Sequence, residues 1–287
     1  MIDSSRGWSE RFERLVELKT RLAVSARLPP YETETDDPPA GSLAVGNDWT
    51  ARLFDGPFSL SPPRDAGRPA CSLVFVQSRD GNTVAADPAV FGGGDTDTHL
   101  VYEGLSRVAA DAVLAGAGSV GRDQLFSIWH PQLVALRAAL GLPRHPVQIV
   151  ASIRGVPLDR LLLFNVPAIR AVLVTVADTA ARMREALIAR PWVTALVMDT
   201  PDHLPQALRG LAAMGVRRIS CIGGRTLAGR LLEARLVEDV YLTTGVRDGG
   251  KPGTPPFDPR WRGRVAVRKR GTGADAGVVF EHVLPRG

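Results

Sequence analysis

The sequence predicts an α/β protein built on a mixed, mostly parallel sheet that is flanked by helices and ends in an antiparallel hairpin. Apolar residues make up 45% of the chain and charged residues 23%, which is typical of a soluble protein with a sizeable core. From residue 70 onward, short apolar runs alternate with segments of helical period, and this alternation favours parallel strands joined by helices. The end of the chain differs, because 264–270 and 277–283 are joined by the turn-like G-T-G-A-D-A-G and indicate a hairpin.

The apolar runs give the expected strands, and the periodic segments between them give the expected helices. In chain order, the strands are predicted at 71–77, 111–115, 147–151, 170–175, 195–199, 218–222 and 237–243. The helices are predicted at 97–109, 131–140, 179–190, 205–214 and 226–234. The chain shows no internal repeat.

Residues 1–68 are expected to form an N-terminal extension that packs on a main domain spanning 69–287. Apolar side chains recur at helical spacing over 9–27 and predict an amphipathic helix there. We interpret 28–41 as an acidic, proline-containing connector and 42–68 as irregular. No chemistry is visible in this extension.

The net charge of +5 and the isoelectric point near 9.7 raise the question of nucleic-acid binding. The arginines are scattered over the whole length, however, and only 264–270 holds a basic cluster. That cluster alternates with apolar residues, as in a strand with one solvated face. We therefore expect no nucleic-acid partner, whereas an arginine-rich surface suits a phosphorylated small molecule.

The two cysteines, Cys71 and Cys221, lie at the edges of apolar runs and are expected to be buried and reduced. No spacing of cysteine and histidine is of the zinc type, so we expect no metal. The N-terminus has no apolar targeting segment, and no window approaches the roughly 18 uncharged apolar residues of a membrane span. We expect a cytoplasmic protein without membrane contact.

The stretch D-A-V-L-A-G-A-G-S-V-G, residues 111–121, joins an expected strand to a glycine-rich turn and allows three interpretations. Its G-x-G-x-x-G spelling is that of a dinucleotide turn, but the acidic residue that such sites carry about 20 positions later is missing. Ser119, followed by Asp199 and His282, has the chain order of a serine hydrolase. Against this, Ala117 replaces the usual glycine and His282 falls within an expected strand. The third interpretation is a plain connection, in which the glycines only let the chain turn.

Two further turns follow expected strands. I-G-G-R-T-L at 222–227 repeats the strand–glycine–helix arrangement, and Arg225 can bind a phosphate through two hydrogen bonds. Two such turns in one domain can converge on a single dinucleotide. Q-S-R-D-G-N-T-V at 77–84 is either a plain turn or a polar site in which Asp80 orients or protonates a heterocycle.

Three of these stretches line up, in order and spacing, with motifs of one family. S-R-D-G-N-T-V is similar to its S-x-D-G-K-x-A segment, and A-A-D-A-V-L-A-G-A-G-S-V to its x-A-D-A-V-L-V-G-A-G-T-V segment. I-S-C-I-G-G-R-T-L and the helix after it resemble its L-L-V-E-G-G-P-T-L segment. The family is the reductase domain of bacterial riboflavin biosynthesis, which has the dihydrofolate reductase fold. The resemblance covers about residues 69–284, and 249–257 is similar to a loop of stand-alone members. The deaminase signature H-x-E…P-C-x-x-C is absent, so we expect a stand-alone member.

The resemblance implies that the protein uses NADPH to reduce a ribosylaminopyrimidine phosphate to its ribitylamino form. It implies cofactor contacts in the first turn from Gly116, Gly118, Ser119 and Val120. Around the pyrophosphate it implies Gly223, Gly224, Arg225, Thr226 and Leu227, and at the adenosine 2′-phosphate Ser152 and Arg154. In the substrate half it implies a catalytic Asp80 beside Ser78, Asn82 and Thr83. Family members usually form homodimers, so we expect a homodimer.

The chain departs from the family pattern in the substrate half. Ile222 stands where the family usually has a glutamate, and Asn82 stands where it has a lysine. The insertion 126–146 is longer than a minimal loop, and we expect it to bring near the cofactor edge Trp129, His130, Arg137, Arg144 and His145. Trp129 itself is expected to pack in the core. The alternative function is therefore a reductase of the same family that acts on another pterin, another pyrimidine or a small carbonyl compound.

Overall fold

The fold is built on one ten-stranded sheet, seen in a computed structural model that describes residues 2–85, 87–257 and 259–286. The strands are β1 (Tyr31–Asp36), β2 (Leu43–Val45), β3 (Phe58–Leu60), β4 (Ala70–Gln77), β5 (Ala112–Gly116), β6 (Val147–Ala151), β7 (Ala171–Val176), β8 (Val193–Met198), β9 (Arg218–Cys221), β10 (Asp239–Thr244), β11 (Arg264–Gly271) and β12 (Val279–Leu284). The helices are α1 (Ile2–Ser25), α2 (Asp48–Phe54), α3 (Gly94–Thr96), α4 (Pro131–Ala139), α5 (Ala177–Arg182), α6 (Arg184–Ile188), α7 (Leu204–Ala213) and α8 (Arg225–Glu233). Helix α3 continues as a π-helical segment, Asp97–Leu105. Within the described residues, no helix has the length and apolar character needed to cross a membrane.

The middle of the sheet is parallel. The order across it is β1-β11-β12-β10-β4-β9-β5-β6-β7-β8, and every neighbouring pair from β10 to β8 is parallel. Strand β12 pairs antiparallel with both β10 and β11, so the expected C-terminal hairpin is present. The predicted mixed, mostly parallel α/β fold is confirmed.

Apart from the edge strand β8, whose Thr194 and Val197 are exposed, both faces of the parallel strands are largely buried, which explains why their sequences are continuous apolar runs. In β5, Leu114 packs with side chains of α7 and α8. Its neighbour Val113 points to the opposite face and packs in the same cluster as Ala23 of α1. Cys71 and Cys221 are buried and free, as predicted.

The N-terminal segment is more regular than the sequence indicates. Residues 31–36, in the expected connector, form β1, which pairs antiparallel with β11 at the edge of the sheet. Of its sequence Y-E-T-E-T-D only Tyr31 is fully buried, so its polarity conceals the strand. In 42–68, which we expected to be irregular, β2 pairs with β3, and Asn47 caps α2. The division of the chain at residue 68 stays a prediction.

The insertion 126–146 ends at the amino end of β6, whereas we expected it near the cofactor edge, at the carboxyl ends of the strands. Arg137, on the predicted helix α4, donates hydrogen bonds to three carbonyls that precede β5, those of Arg107, Val108 and Ala110. Arg144 and His145 directly precede β6. A parallel pair needs a connection that returns to the amino end of the next strand, so the expected approach of these three side chains to the cofactor edge is wrong. Trp129 packs in the core, as predicted.

A buried carboxylate joins the N-terminal segment to the sheet. Asp239 accepts hydrogen bonds from the hydroxyl and the amide of Ser61, from the Tyr241 hydroxyl, and from Nε2 of His282 at 2.7 Å. Asp239 and His282 are each 1% exposed. Burial by itself raises the pKa of Asp239, but the hydrogen bonds from His282 and Ser61 outweigh burial and hold that pKa below its usual value.

We predict that Asp239→Ala lowers the free energy of unfolding by about 3–5 kcal/mol, because it leaves four buried donors, from three residues, without their acceptor. Asp199→Ala is the matched control, since its carboxylate lies 3.5 Å from a histidine but is 71% exposed. The control should change stability by less than about 0.5 kcal/mol. Equilibrium urea unfolding measures both variants, and losses of similar size would contradict the structural role of Asp239.

Candidate active site

The predicted site residues lie at, or just after, the carboxyl ends of four parallel strands. Residues 78–83 follow β4, 117–121 follow β5, 152–154 follow β6 and 222–227 follow β9. The strands are neighbours in the order β4-β9-β5-β6, so the four loops lie side by side at one edge. In open α/β sheets, ligands bind in the crevice outside this edge.

Hydrogen bonds join the two predicted glycine turns. The N–H of Gly116 donates to the carbonyl of Gly223 at 2.7 Å. The N–H of Gly224 donates to Oγ of Ser119 at 2.9 Å. The two turns therefore form one continuous surface, as convergence on a single dinucleotide requires.

The second turn leads into the N-terminus of α8, where the first N–H groups have no acceptor within the helix. Gly224 precedes the helix and supplies no side-chain cap. The Gly223–Gly224 peptide bond is cis, and φ at Gly223 is +87°, a value that favours glycine. A side chain at Gly118 would meet no atom within 4 Å, so open space lies beside the first turn. Free N–H groups and room for close approach are what a pyrophosphate needs, and the residues present fit that group.

The remaining predicted cofactor residues of these turns differ in accessibility. Thr226 is exposed, Val120 is half-buried, and Leu227 packs partly against the core. The guanidinium of Arg225 donates to two carbonyls of the loop 249–257. Protein groups thus engage this side chain, and its contact with a cofactor phosphate stays a prediction.

Ser152 and Arg154 lie in the loop after β6, beside the first glycine turn. The Ser152 hydroxyl donates to the carbonyl of Gly155 at 2.8 Å and so stabilises the loop. Arg154 is exposed and has no hydrogen bond or ion pair to any residue that the structure describes. Its free guanidinium is suited to a phosphate group, and the 2′-phosphate contact stays a prediction.

The loop after β4 is closed by its own hydrogen bonds. The N–H of Ser78 donates to the carbonyl of Asn82, and the N–H of Asn82 donates to the Ser78 hydroxyl oxygen, each at 2.9 Å. The Asn82 side-chain amide donates to the carbonyl of Lys251 at 3.1 Å. Ser78 and Asn82 therefore shape the loop. Asp80 is exposed, and the Ser78 hydroxyl holds its carboxylate, whereas Thr83 is half-buried.

The geometry excludes the hydrolase interpretation of Ser119. His282 is on β12, four strands from β5, or roughly 19 Å at the usual strand spacing. Its ring is buried and bonded to Asp239. Asp199 follows β8, three strands from β5 on the other side, and bonds to Gln206. The three residues of the supposed triad are thus held apart by the sheet.

A buried carboxyl that the sequence analysis missed lies near the same edge. Asp97 begins the π-helical segment and is 8% exposed. A side chain at Gly93 would lie 3.2 Å from both Asp97 and Val76, which places Asp97 beside the end of β4. Burial, with repulsion from Asp275, raises the pKa of Asp97 to about 7. Sequence spacing carries no signal for Asp97, because segments distant in the sequence bury it.

No group of acidic, histidine or cysteine side chains in the described ranges is suited to hold a metal ion.

A family model matches this chain, and solved structures share its fold. Residues 72–257 match the RibD C-terminal domain family, and no curated protein matches the sequence. A pyrimidine reductase-like protein of Corynebacterium diphtheriae has the same fold, with a TM-score of 0.60 at 20% identity over 76% of this chain and 92% of that one. For the riboflavin biosynthesis reductase Rib7 of Saccharomyces cerevisiae, the TM-score is 0.54 at 16% identity over 78% and 92% of the two chains. Acinetobacter baumannii RibD gives a TM-score of 0.58 at 16% identity over 77% of this chain and 59% of its own length. These likenesses confirm the expected dihydrofolate-reductase-like fold.

We predict that ionisation of Asp97 destabilises the folded protein as the pH rises. The pKa of Asp97 is about 7 in the folded state and roughly 3.9 in an unfolded chain. Between these values the folded state binds the extra proton, so the free energy of unfolding falls by up to about 1.4 kcal/mol per pH unit. Asp97→Asn should reduce this slope, whereas Asp202→Asn, at a carboxylate that is 83% exposed, should leave it unchanged. Urea unfolding between about pH 5 and about pH 8 measures the slopes, and an unchanged slope in Asp97→Asn would contradict the raised pKa.

Proposed function

Because the chain belongs to the RibD C-terminal domain family, we propose that it is an NADPH-dependent oxidoreductase that reduces a heterocyclic substrate. The best-supported substrate is a 5-amino-6-ribosylaminopyrimidine phosphate, reduced to the ribitylamino form in riboflavin biosynthesis. The observation that carries the proposal is the pair of hydrogen-bonded glycine turns beside the N-terminus of α8. This pair supports a dinucleotide site, and membership of the family supports the reductase chemistry.

Backbone groups provide most of the nucleotide half of the site. The N–H groups that would bind the pyrophosphate are those of Arg225, Thr226 and Leu227, in the first turn of α8. Gly116, Gly118 and Val120 would contact the cofactor along the first turn. The Ser119 oxygen accepts from Gly224, which leaves its own O–H free to donate to the cofactor. When bound, NADPH supplies a hydride from the nicotinamide ring.

Arg154 would select NADPH over NADH. It lies after β6, on the far side of the glycine turns from the substrate loop. The 2′-phosphate distinguishes NADPH from NADH, and a guanidinium binds such a group through paired charged hydrogen bonds. Ser152, in the same loop, would support this contact by holding the loop conformation through its bond to Gly155.

Asp80 would be the catalytic residue of the substrate half. Addition of hydride at C1′ of the opened ribose leaves charge on a neighbouring atom, and that atom needs a proton. An exposed carboxyl group, fixed by the Ser78 hydroxyl, can deliver the proton or bind the amino groups of the pyrimidine.

Two observations favour the second candidate, a family reductase with another substrate. The side-chain amide of Asn82 donates a hydrogen bond to the carbonyl of Lys251, so it is engaged by the protein. Ile222 packs against the core and offers no polar group to the substrate.

We predict that the protein binds NADPH saturably below the millimolar range and that Gly118→Val weakens this binding about tenfold or more, or about 1.4 kcal/mol. The reason is that a side chain at Gly118 enters the open space beside the turn without touching the protein, so the thermal unfolding midpoint should not fall. Gly229→Ala is the control, because position 229 in α8 is equally open and alanine there should only stabilise the helix, by up to about 1 kcal/mol. Nicotinamide fluorescence gives the Kd, and equal affinities of the two variants would contradict the nucleotide site.

We predict that Asp80→Asn lowers the rate of NADPH oxidation with the ribosylaminopyrimidine phosphate by about 100-fold or more. The Kd for NADPH should not change, because Asp80 lies outside the glycine turns. Asp123→Asn, at another exposed carboxylate, serves as the control and should keep the rate. A full rate in Asp80→Asn would remove this residue from the mechanism. NADPH binding by the unmodified protein without oxidation by this substrate would favour the second candidate.

A further inference from the structure

Residues 245–257, which we call the strap, follow β10 and pack on the loop after β4. The N–H of Lys251 donates to the carbonyl of Val84 at 2.7 Å. A side chain at Gly250 would lie only 2.7 Å from the amide of Asn82, so the two segments are in direct contact there. The strap therefore covers part of the loop that we assign to the substrate.

One side chain joins the strap to the nucleotide half. Arg225 is the first residue of α8, directly after the glycine pair. Its Nη1 donates to the carbonyl of Pro255 at 2.8 Å, and its Nη2 donates to that of Pro256 at 3.2 Å. The same Nη1 reaches the Thr83 hydroxyl at 3.5 Å, and the guanidinium lies 5.4 Å from the ring centre of Phe257. Arg225 thus contacts the strap and the substrate loop while its own backbone belongs to the glycine turn.

The first part of the strap, 245–251, is held by backbone hydrogen bonds to β4, to the loop after it and to Phe91, and by an ion pair between Asp248 and Arg79. The end of the strap, 252–257, relies more on contacts from side chains.

The central sequence of the strap, G-G-K-P-G-T-P-P, contains three prolines and three glycines. Prolines have no N–H to donate, and glycines leave the backbone free to move in the absence of other contacts. Most of the strap's residues are exposed, and Phe257 at its end packs on Phe75 at 5.3 Å between ring centres. Charged hydrogen bonds from one guanidinium to two successive carbonyls are therefore a large share of what fixes the end of the strap.

We propose that Arg225 is a positioning residue that holds the strap against the substrate loop and so couples the substrate half to the nucleotide half. The identity of the two halves rests on the proposed function. The backbone N–H of Arg225 remains available to the pyrophosphate, while its side chain serves the strap. Loss of the side chain should then loosen the strap and weaken substrate binding, and it should leave the phosphate donors of α8 in place.

The first test requires no ligand. Hydrogen–deuterium exchange of the protein reports on the amides of the strap, among them the N–H of Thr254, next to Pro255. In Arg225→Ala we expect strap peptides to exchange about tenfold faster than in the unmodified protein. Arg230→Ala is the matched control, because Arg230 lies on the same helix and donates to Pro201, away from the strap. Strap exchange that is equal in Arg225→Ala and in the unmodified protein overturns the proposal.

The second test separates positioning from phosphate binding. In Arg225→Ala we expect the Kd for NADPH to stay within about threefold of its original value and the KM for the pyrimidine substrate to rise about tenfold. Arg225→Lys keeps the charge but can donate well to only one of the two carbonyls. Its strap exchange rate and its KM should therefore lie between those of the unmodified protein and those of Arg225→Ala. A rise of the NADPH Kd of about tenfold or more with an unchanged KM would assign the side chain to the cofactor and overturn the proposal. If the unmodified protein binds no NADPH, the proposed function fails, and the exchange test still decides whether Arg225 holds the strap.

Discussion

The parallel pairing of β5 with β9 is the constraint on which the whole site depends. It sets Leu114 opposite Cys221, so both strands end at the same edge and the glycine turns that follow them meet. The N–H of Ile222 donates to the carbonyl of Leu114 at 3.0 Å and continues the pairing past the end of β9. A shift of one residue in this register would move every side chain of one strand to the other face and separate the turns. The buried apolar faces of both strands therefore fix the geometry of the site.

The order of the strands sets the order of the loops along the edge. In the proposed function, the substrate loop follows β4, the turn for the pyrophosphate follows β9, the first glycine turn follows β5, and the loop with Arg154 follows β6. In the proposed function, the reacting end of the nucleotide lies toward Asp80 and its phosphorylated adenosine lies toward Arg154. Arg225 lies between the loops that hold these two residues and contacts the strap, and we propose that this contact joins the two halves. Hydride transfer needs two reactants held in line, so a residue that fixes both halves contributes by position.

The sequence predicts much of this arrangement, because its signals are local. Continuous apolar runs predict the parallel strands, helical periodicity predicts the helices between them, and 222–227 predicts a second glycine turn. Strand β1 is not predicted, because an edge strand needs few apolar side chains and its pairing with β11 spans most of the chain. The contacts of Arg225 and the burial of Asp97 are likewise missed, since their partners come from segments far away in the sequence. Local patterns thus predict where the candidate site lies, and long-range contacts determine the surroundings of its side chains.

The most direct measurement is a crystal structure of the protein with NADP⁺. We expect the pyrophosphate oxygens to accept hydrogen bonds from the first N–H groups of α8 and the nucleotide to lie against the turn that contains Gly118. The 2′-phosphate should lie beside Arg154, and the guanidinium of Arg225 should still contact the carbonyls of the strap. A nucleotide bound away from the glycine turns, or bound with its adenosine beside Asp80, would contradict the convergence of the two turns on one cofactor.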